Sequence, residues 1–400
     1  MIFRCISSFS RLVGTPTRAA RRGRCPHPPQ AAQQCKIQWL SDYIYTTYDQ
    51  AFSKRALPLR GRVGMGLLLF SVILLITFLS TQTLYAQHKF VFEQPKMGSP
   101  FTISIFAKDS AKAAQAATTA FHCADSLNQI FSDYLDSSEL NRLNATSGQN
   151  RYVPVSAAMF DILKYAVDAA KKSKGSYDIS MGPVVKLWRK ARKEKKLPGK
   201  DSLQSALQKT GYQFIHLDSA HQSVWLEKKG MQLDLGGLGK GYVAQAALDI
   251  IQDMGFPSSM VNAGGKIAIG EAPPGRNGWR IGITLPEEKE KIMQRLLLLS
   301  NTSVATSGDI YQHLDINGKR YSHIVDPKTG LGLTSQRNVT VIAQNGVISD
   351  WLATACSVLS IDESFKLIKA FNGAALLVTE MNNGRLIKKS TKNFEGYLEN

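Results

Sequence analysis

The amino-acid sequence predicts an α+β fold with mixed or antiparallel sheets flanked by helices. From residue 88 onward, strand-like and helix-like segments are mixed along the chain, and consecutive strands often lie close enough to form hairpins. Hydrophobic residues make up 44% of the 400 residues and charged residues 20%, a composition that supports a folded core. A doubly wound parallel fold would require strands and helices to alternate more regularly.

Periodicity assigns the elements of the first half. Residues 101–107 alternate in polarity as a strand does, whereas residues 110–132 and 156–173 carry apolar side chains at helical spacing. Residues 182–197 predict a basic amphipathic helix whose charged side faces solvent. Further along we expect short strands at 213–217 and 222–226, a strand ending at Asp234, and a helix over 240–254.

The second half mixes strands and helices again, and a closing pair of strands completes the predicted domain over residues 88–400. Strands are expected at 258–262, 266–270, 278–284, 302–306, 319–325, 338–343, 374–379 and 385–389, and helices at 349–359 and 362–371.

Residues 65–86 have the layout of a secretory signal peptide. Arg62 precedes an uncharged apolar run at 66–80, and Ala86 offers a small residue at the cleavage point. The run is short for a membrane span of about 20 residues, but a retained N-terminal anchor is an alternative. We therefore expect an exported protein, in the periplasm or on the inner membrane facing the periplasm.

Residues 1–64 show neither helical nor strand periodicity. They form either a disordered basic extension or the product of a start codon assigned too early. The second interpretation is favoured, because Met65 stands where an ordinary signal peptide would begin.

The net charge of +18 at first suggests a nucleic-acid partner, but its distribution argues against one. Residues 1–62 hold 11 Lys/Arg and two acidic residues, which accounts for half of the total. Aromatic residues are not interleaved with the basic ones, as a groove for single strands would require. We therefore expect no nucleic-acid partner.

Two distant segments carry the residue types of a metal–phosphate site. Asp350 and Thr354 are four residues apart, so they share one helix face, and both offer the hard oxygen ligands that Mg²⁺ prefers. Residues 234–241, DLGGLGKG, form a glycine-rich turn whose backbone can approach a phosphate, with Lys240 as its cation. The spacing is not that of a P-loop, and a plain strand-to-helix turn is the alternative.

Three other segments are weaker signals by themselves. Residues 262–265, NAGG, predict a hairpin or bulge, and residues 306–308, TSG, could cap a helix or hold a phosphate. Residues 321–330 end in the turn sequence DPKTG and place His323 on the preceding strand. A lone histidine is usually structural, but beside a metal–pyrophosphate site it is a candidate general base.

Taken in order, seven segments resemble the ApbE-type FAD:protein FMN transferase family over roughly residues 95–380. These are MGSPF (97–101), SYDISMGPVVKLW (176–188), DLGGLGKGY (234–242), NAGGKI (262–267), VATSGDIY (304–311), YSHIVDPKTG (321–330) and ISDWLATACSVL (348–359). The resemblance implies an ApbE-like flavin transferase fold for residues 88–400. It also implies an enzyme that uses Mg²⁺ to cleave FAD, its substrate, and moves FMN onto a threonine of an exported or membrane redox protein, leaving AMP.

The resemblance also implies roles for individual residues. Asp350, Thr354 and the main-chain carbonyl of Gly237 would be the metal ligands, while Lys240 would contact the pyrophosphate. His323 would accept the proton of the acceptor threonine. Asp234 would contact the nucleotide, and the flavin pocket would be lined by Met97, Tyr134, Ser176, Tyr177, Asp178 and Ile324.

The sequence departs from the family pattern at three positions. Lys266 stands where an acid commonly follows NAGG, Gln245 stands where an aspartate often follows the lysine turn, and Ala353 replaces an acid found in some members. Two other activities fit the same residues: hydrolysis of FAD to FMN and AMP, and flavin binding without catalysis.

Overall fold

A computed structural model describes residues 87–283, 296–308, 313–382 and 385–399. It confirms the α+β class, with antiparallel sheets and flanking helices. The predicted signal or anchor at 65–86 and the basic segment 1–64 lie outside the described residues. Within the described ranges, no helix is both long enough and apolar enough to cross a membrane.

Fifteen strands are present in the described part of the chain. They are β1 (His88–Lys96), β2 (Ser99–Ala107), β3 (Val153–Pro154), β4 (Ile215–Asp218), β5 (Ser223–Leu226), β6 (Ser259–Ala263), β7 (Lys266–Ile269), β8 (Trp279–Ile281), β9 (Leu297–Leu299), β10 (Thr302–Gly308), β11 (His313–Ile316), β12 (Lys319–Ser322), β13 (Gln336–Ala343), β14 (Ala375–Asn382) and β15 (Arg385–Ser390).

Eight α-helices accompany these strands among the described residues. They are α1 (Ser110–Phe131), α2 (Glu139–Asn144), α3 (Ala157–Lys172), α4 (Gly182–Glu194), α5 (Lys200–Leu207), α6 (Gly239–Asp253), α7 (Gly346–Val358) and α8 (Ile361–Lys369). Two short 3₁₀ helices cover Tyr212–Phe214 and Lys392–Tyr397.

An eight-stranded sheet in the order β1-β2-β6-β7-β10-β13-β14-β15 forms the centre of the fold. Adjacent strands of this sheet are all antiparallel to each other. Successive side chains of a strand point to opposite faces, so β13 contributes to two cores. Val339 and Val341 join the larger core, beneath helices α1, α6 and α7, while Ile342 joins a smaller core on the other face with Trp279 and Phe394.

A third apolar cluster joins helix α4 to the segment that follows β12. Val184 and Trp188 of α4 pack with Leu203 and Val325, and the Trp188 indole Nε1 donates to the carbonyl of Gly330 at 2.7 Å. This cluster holds the 321–330 segment against the basic helix.

Two predicted strand ends are wrong. Asp234 does not end a strand, because the segment before it forms only an isolated bridge between Met181 and Gln232. The strand predicted over 319–325 stops at Ser322, whose hydroxyl accepts the amide of Ile324 at 3.1 Å and turns the backbone out of the ladder. His323 therefore follows the strand instead of lying on it.

Candidate active site

Helix α7 presents Asp350 and Thr354 one turn apart. The Asn345 side chain starts this helix by accepting the amide of Ile348 at 3.0 Å, as an N-cap does. Asp350 is fully buried (0% exposed), and Thr354 is half-buried. A carboxylate buried this completely requires compensating partners from neighbouring elements.

The start of helix α6 supplies one such partner. The amide of Gly241 donates to Asp350 Oδ2 at 2.9 Å. A Cβ added at Gly241 would lie 2.1 Å from the carbonyl oxygen of Gly346 and 2.7 Å from Asp350 Cβ. Glycine at position 241 is therefore what lets helices α6 and α7 approach closely enough for the hydrogen bond.

The carbonyl of Gly237 lies against the same helix face. Thr354 Oγ1 is 3.4 Å from Gly237 O and 3.2 Å from the carbonyl of Asp350. A Cβ at Gly237 would meet the Tyr177 ring at 2.9 Å and Thr354 at 3.3 Å, so this turn also requires glycine. The fold thus brings Gly237, Asp350 and Thr354 together although 117 residues separate the first from the last.

These three oxygens form a donor set suited to Mg²⁺, because all are hard ligands and one is charged. Asp350 Oδ1 is buried and receives no hydrogen bond from the described residues, so a ligand atom is available. The described ranges hold no group of three or more His, Cys, Asp or Glu that could bind a metal. A site built from one carboxylate, one hydroxyl and one carbonyl does not depend on such a group.

Two lysines face this carboxylate. Lys266 Nζ lies 3.3 Å from Asp350 Oδ1 and donates to the carbonyl of Thr306 at 2.5 Å. Burial and the nearby Lys266 charge lower the pKa of Lys240, while Asp350 opposes that shift. A Cβ at Gly264 would lie 3.6 Å from Lys240 Nζ, which puts the NAGG turn beside this lysine.

The segment after helix α3 places Tyr177 at the site. Its ring is buried, its hydroxyl has no hydrogen-bond partner in the described part, and burial with nearby carboxylates raises its pKa well above the ordinary value. Ser176 is also buried. Asp178 shapes the turn, accepting the amide and hydroxyl of Ser180 and the amide of Tyr212, while burial raises its pKa.

Asp234 belongs to a charge cluster that sequence reasoning missed. Arg189 of α4 binds Asp234 at 2.8 Å and also pairs with Asp133. Asp234 Oδ1 accepts the amide of Gly236, and burial together with Asp133 raises the pKa of Asp234 against the effect of Arg189. The guanidinium centre lies 4.2 Å from the ring centroid of Tyr134, which is 74% exposed.

The remaining predicted residues lie on two turns. Met97 occupies the turn between β1 and β2 with φ of 51° and is partly buried against the larger core. His323 is half-buried, and Ile324 beside it is buried. Asp326 fixes the turn that follows, accepting the amide of Lys328 at 2.9 Å.

The site combines a glycine-rich turn, the buried Asp350 carboxylate and two nearby lysines, Lys240 and Lys266. These groups are of the type that binds a phosphate compound together with a divalent cation. A family model described as the ApbE family matches residues 97–378, and the chain belongs to this family.

Curated relatives carry the name FAD:protein FMN transferase. The protein of Treponema pallidum is 30% identical over 296 residues, covering 70% of this chain and 82% of the relative. That of Salmonella typhimurium is 28% identical over 299 residues, covering 74% and 85% respectively.

Solved structures share the fold. The flavin transferase ApbE of Vibrio cholerae superposes with a TM-score of 0.70 at 24% identity, covering 78% of this chain and 99% of that one. The flavinyl transferase ApbE of Pseudomonas stutzeri, in its apo form, gives 0.69 at 25% identity, covering 79% and 98%.

Proposed function

We propose that this chain is an FAD:protein FMN transferase that moves FMN from FAD to a threonine hydroxyl of a partner redox protein and releases AMP. The names and coverage of its relatives support the transferase activity. The observation that carries the proposal is the convergence of Gly237, Asp350 and Thr354 beside Lys240.

Asp350, Thr354 and the Gly237 carbonyl would hold Mg²⁺. When bound, such a cation polarises a pyrophosphate and neutralises charge that develops on the departing phosphate. The close backbone contacts at Gly237 and Gly241 would keep these oxygen ligands in place before the substrate arrives.

The chain's own groups handle the transfer. Lys240 contacts the pyrophosphate and stabilises negative charge where the phosphate–phosphate bond breaks. His323 takes the proton of the acceptor threonine, whose oxygen forms the new bond to the FMN phosphorus as AMP leaves. A covalent bond between FMN and the enzyme is not required.

The flavin and nucleotide halves of FAD would be held on either side of this centre. Met97, Ser176, Tyr177 and Ile324 offer apolar and polar contacts to the substrate, and Tyr134 offers an exposed aromatic face for stacking. Asp234 would contact the nucleotide and Asp178 would line the flavin pocket, and both also accept backbone amides, from Gly236 and Tyr212 respectively.

The acceptor would be an exported or membrane-bound redox subunit with a Ser/Thr-rich motif. The apolar segment at 65–86 supports export to the periplasm or anchoring at the inner membrane, facing the periplasm. Mass spectrometry of the mature N-terminus tests this location: cleavage after Ala86 would indicate a signal peptide, and retention of the segment an anchor.

The activity is tested by incubating the purified chain with FAD, Mg²⁺ and an acceptor domain that contains the threonine motif. Flavin fluorescence on a denaturing gel should appear in the acceptor band and should vanish with Asp350→Ala. Absence of a protein-bound flavin in the wild-type reaction would contradict the proposal. Release of AMP at the same rate without acceptor would identify a hydrolase, and uncleaved bound FAD would identify a carrier.

A further inference from the structure

The two carboxylate oxygens of Asp350 have different surroundings. Oδ2 accepts the amide of Gly241, whereas Oδ1 receives no hydrogen bond from the described residues. The ammonium of Lys266 lies 3.3 Å from Oδ1, within ion-pair distance but without hydrogen-bond geometry. Because Asp350 is 0% exposed, this nearby charge compensates an oxygen that water does not reach.

Lys266 is held in this position by the central sheet. It begins strand β7, where it pairs with Ala305 of β10, and its Nζ donates to the carbonyl of Thr306 at 2.5 Å. The lysine side chain is only 13% exposed. The sheet therefore fixes the position of the ammonium at this site, and Lys266 is not a mobile surface side chain.

We propose that Lys266 is a resident cation of the metal site: it neutralises Asp350 Oδ1 in the metal-free protein, and a divalent cation must displace it to bind. The inference rests on the proposed metal site at Asp350, Thr354 and Gly237. It follows from the position of the ammonium against the one Asp350 oxygen that lacks a hydrogen bond.

Two opposite consequences distinguish this role from ordinary packing. Removing the ammonium leaves Asp350 with an uncompensated buried charge, so the metal-free protein loses stability. The same removal relieves the repulsion between a lysine and a divalent cation at one oxygen, so metal binds more tightly. A lysine that only packed against its neighbours would change stability without improving metal affinity.

The test compares wild type with Lys266→Met, which removes the charge, and Lys266→Arg, which keeps it. Binding of Mg²⁺ and Mn²⁺ is measured by calorimetry without flavin, and the melting temperature is measured in EDTA and at saturating metal. We expect Lys266→Met to melt below wild type in EDTA, to recover with metal, and to bind metal at least tenfold more tightly. Lys266→Arg should follow wild type in all three measurements.

Equal metal affinity in wild type and Lys266→Met would overturn this inference, as would a melting deficit that persists at saturating metal. Neither result bears on whether the wild-type chain transfers FMN, so failure of this inference can be distinguished from failure of the proposed function. Failure of the wild-type chain to bind either cation would overturn the inference together with the metal site. If Lys266→Met does not fold in EDTA, Lys266→Gln, which retains a donor for the Thr306 carbonyl, is judged by the same criteria.

Discussion

The close approach of helices α6 and α7 makes Gly241→Ala the most informative substitution. The added Cβ would stand 2.1 Å from the Gly346 carbonyl oxygen, a separation that real Cβ atoms do not adopt. The helices would have to move apart by about 1 Å, which also stretches the hydrogen bond from residue 241 to Asp350 Oδ2.

The cost can be estimated from these two effects. Overpacking a well-packed contact costs about 1–3 kcal/mol. Weakening a hydrogen bond to a buried charged acceptor costs about 1.5–3 kcal/mol. We expect the free energy of unfolding to fall by about 3–5 kcal/mol, a large share of the roughly 5–15 kcal/mol typical of a domain.

Gly239→Ala is the matched control, two residues earlier in the same turn. Its Cβ would meet no atom closer than the 3.8 Å contact with Leu235, and alanine favours helices over glycine. Urea unfolding should therefore show Gly239→Ala unchanged or more stable by up to about 1 kcal/mol. If Gly241→Ala unfolds at the same urea concentration as Gly239→Ala, helices α6 and α7 do not require glycine at position 241.

Four further predictions concern charge and metal. Burial raises the pKa of Asp249 to about 6, so its cost to stability develops as the pH rises from about 4 to about 6 and stays constant above that. Asp249→Asn should therefore stabilise the protein by up to about 3 kcal/mol at pH 7.5 and by much less at pH 4. Arg189→Met should lower the free energy of unfolding by about 2 kcal/mol at pH 7, measured by urea unfolding, because Asp234 loses its cationic partner. The loss should be smaller at pH 5, because the pKa of Asp234 is raised and its carboxylate is more readily protonated there. Thr354→Val should weaken Mg²⁺ binding about tenfold in calorimetry, because one oxygen ligand is lost, while EDTA should abolish FMN transfer by wild type.

The local geometry around Gly237, Asp350 and Thr354 could be predicted from the sequence, because each lies in a short segment with a strong local pattern. The i, i+4 spacing fixes the face of α7, and the run of glycines marks a turn with close backbone contacts. Their residue types suggested that the two segments form one site, and the family resemblance added the role of the Gly237 carbonyl.

The charge cluster around Arg189 could not be predicted in this way. Helix α4 is rich in basic residues, and its charged side was expected to face solvent, yet Arg189 turns towards Asp133 and Asp234 from distant segments. A periodic pattern identifies which side of a helix is polar but not which acid comes to meet it. The sequence showed Lys266 only as a departure from the family pattern. Its position beside Asp350 could not be predicted, because it depends on the pairing of β7 with β10.

The two segments that form the proposed metal site are far apart in the sequence, which limits when the site can form during synthesis. Asp350 and the Gly241 amide that orients it are separated by 109 residues. A chain still emerging from the ribosome would present the glycine turn long before helix α7 exists. The complete site can therefore form only when synthesis of the domain is nearly finished.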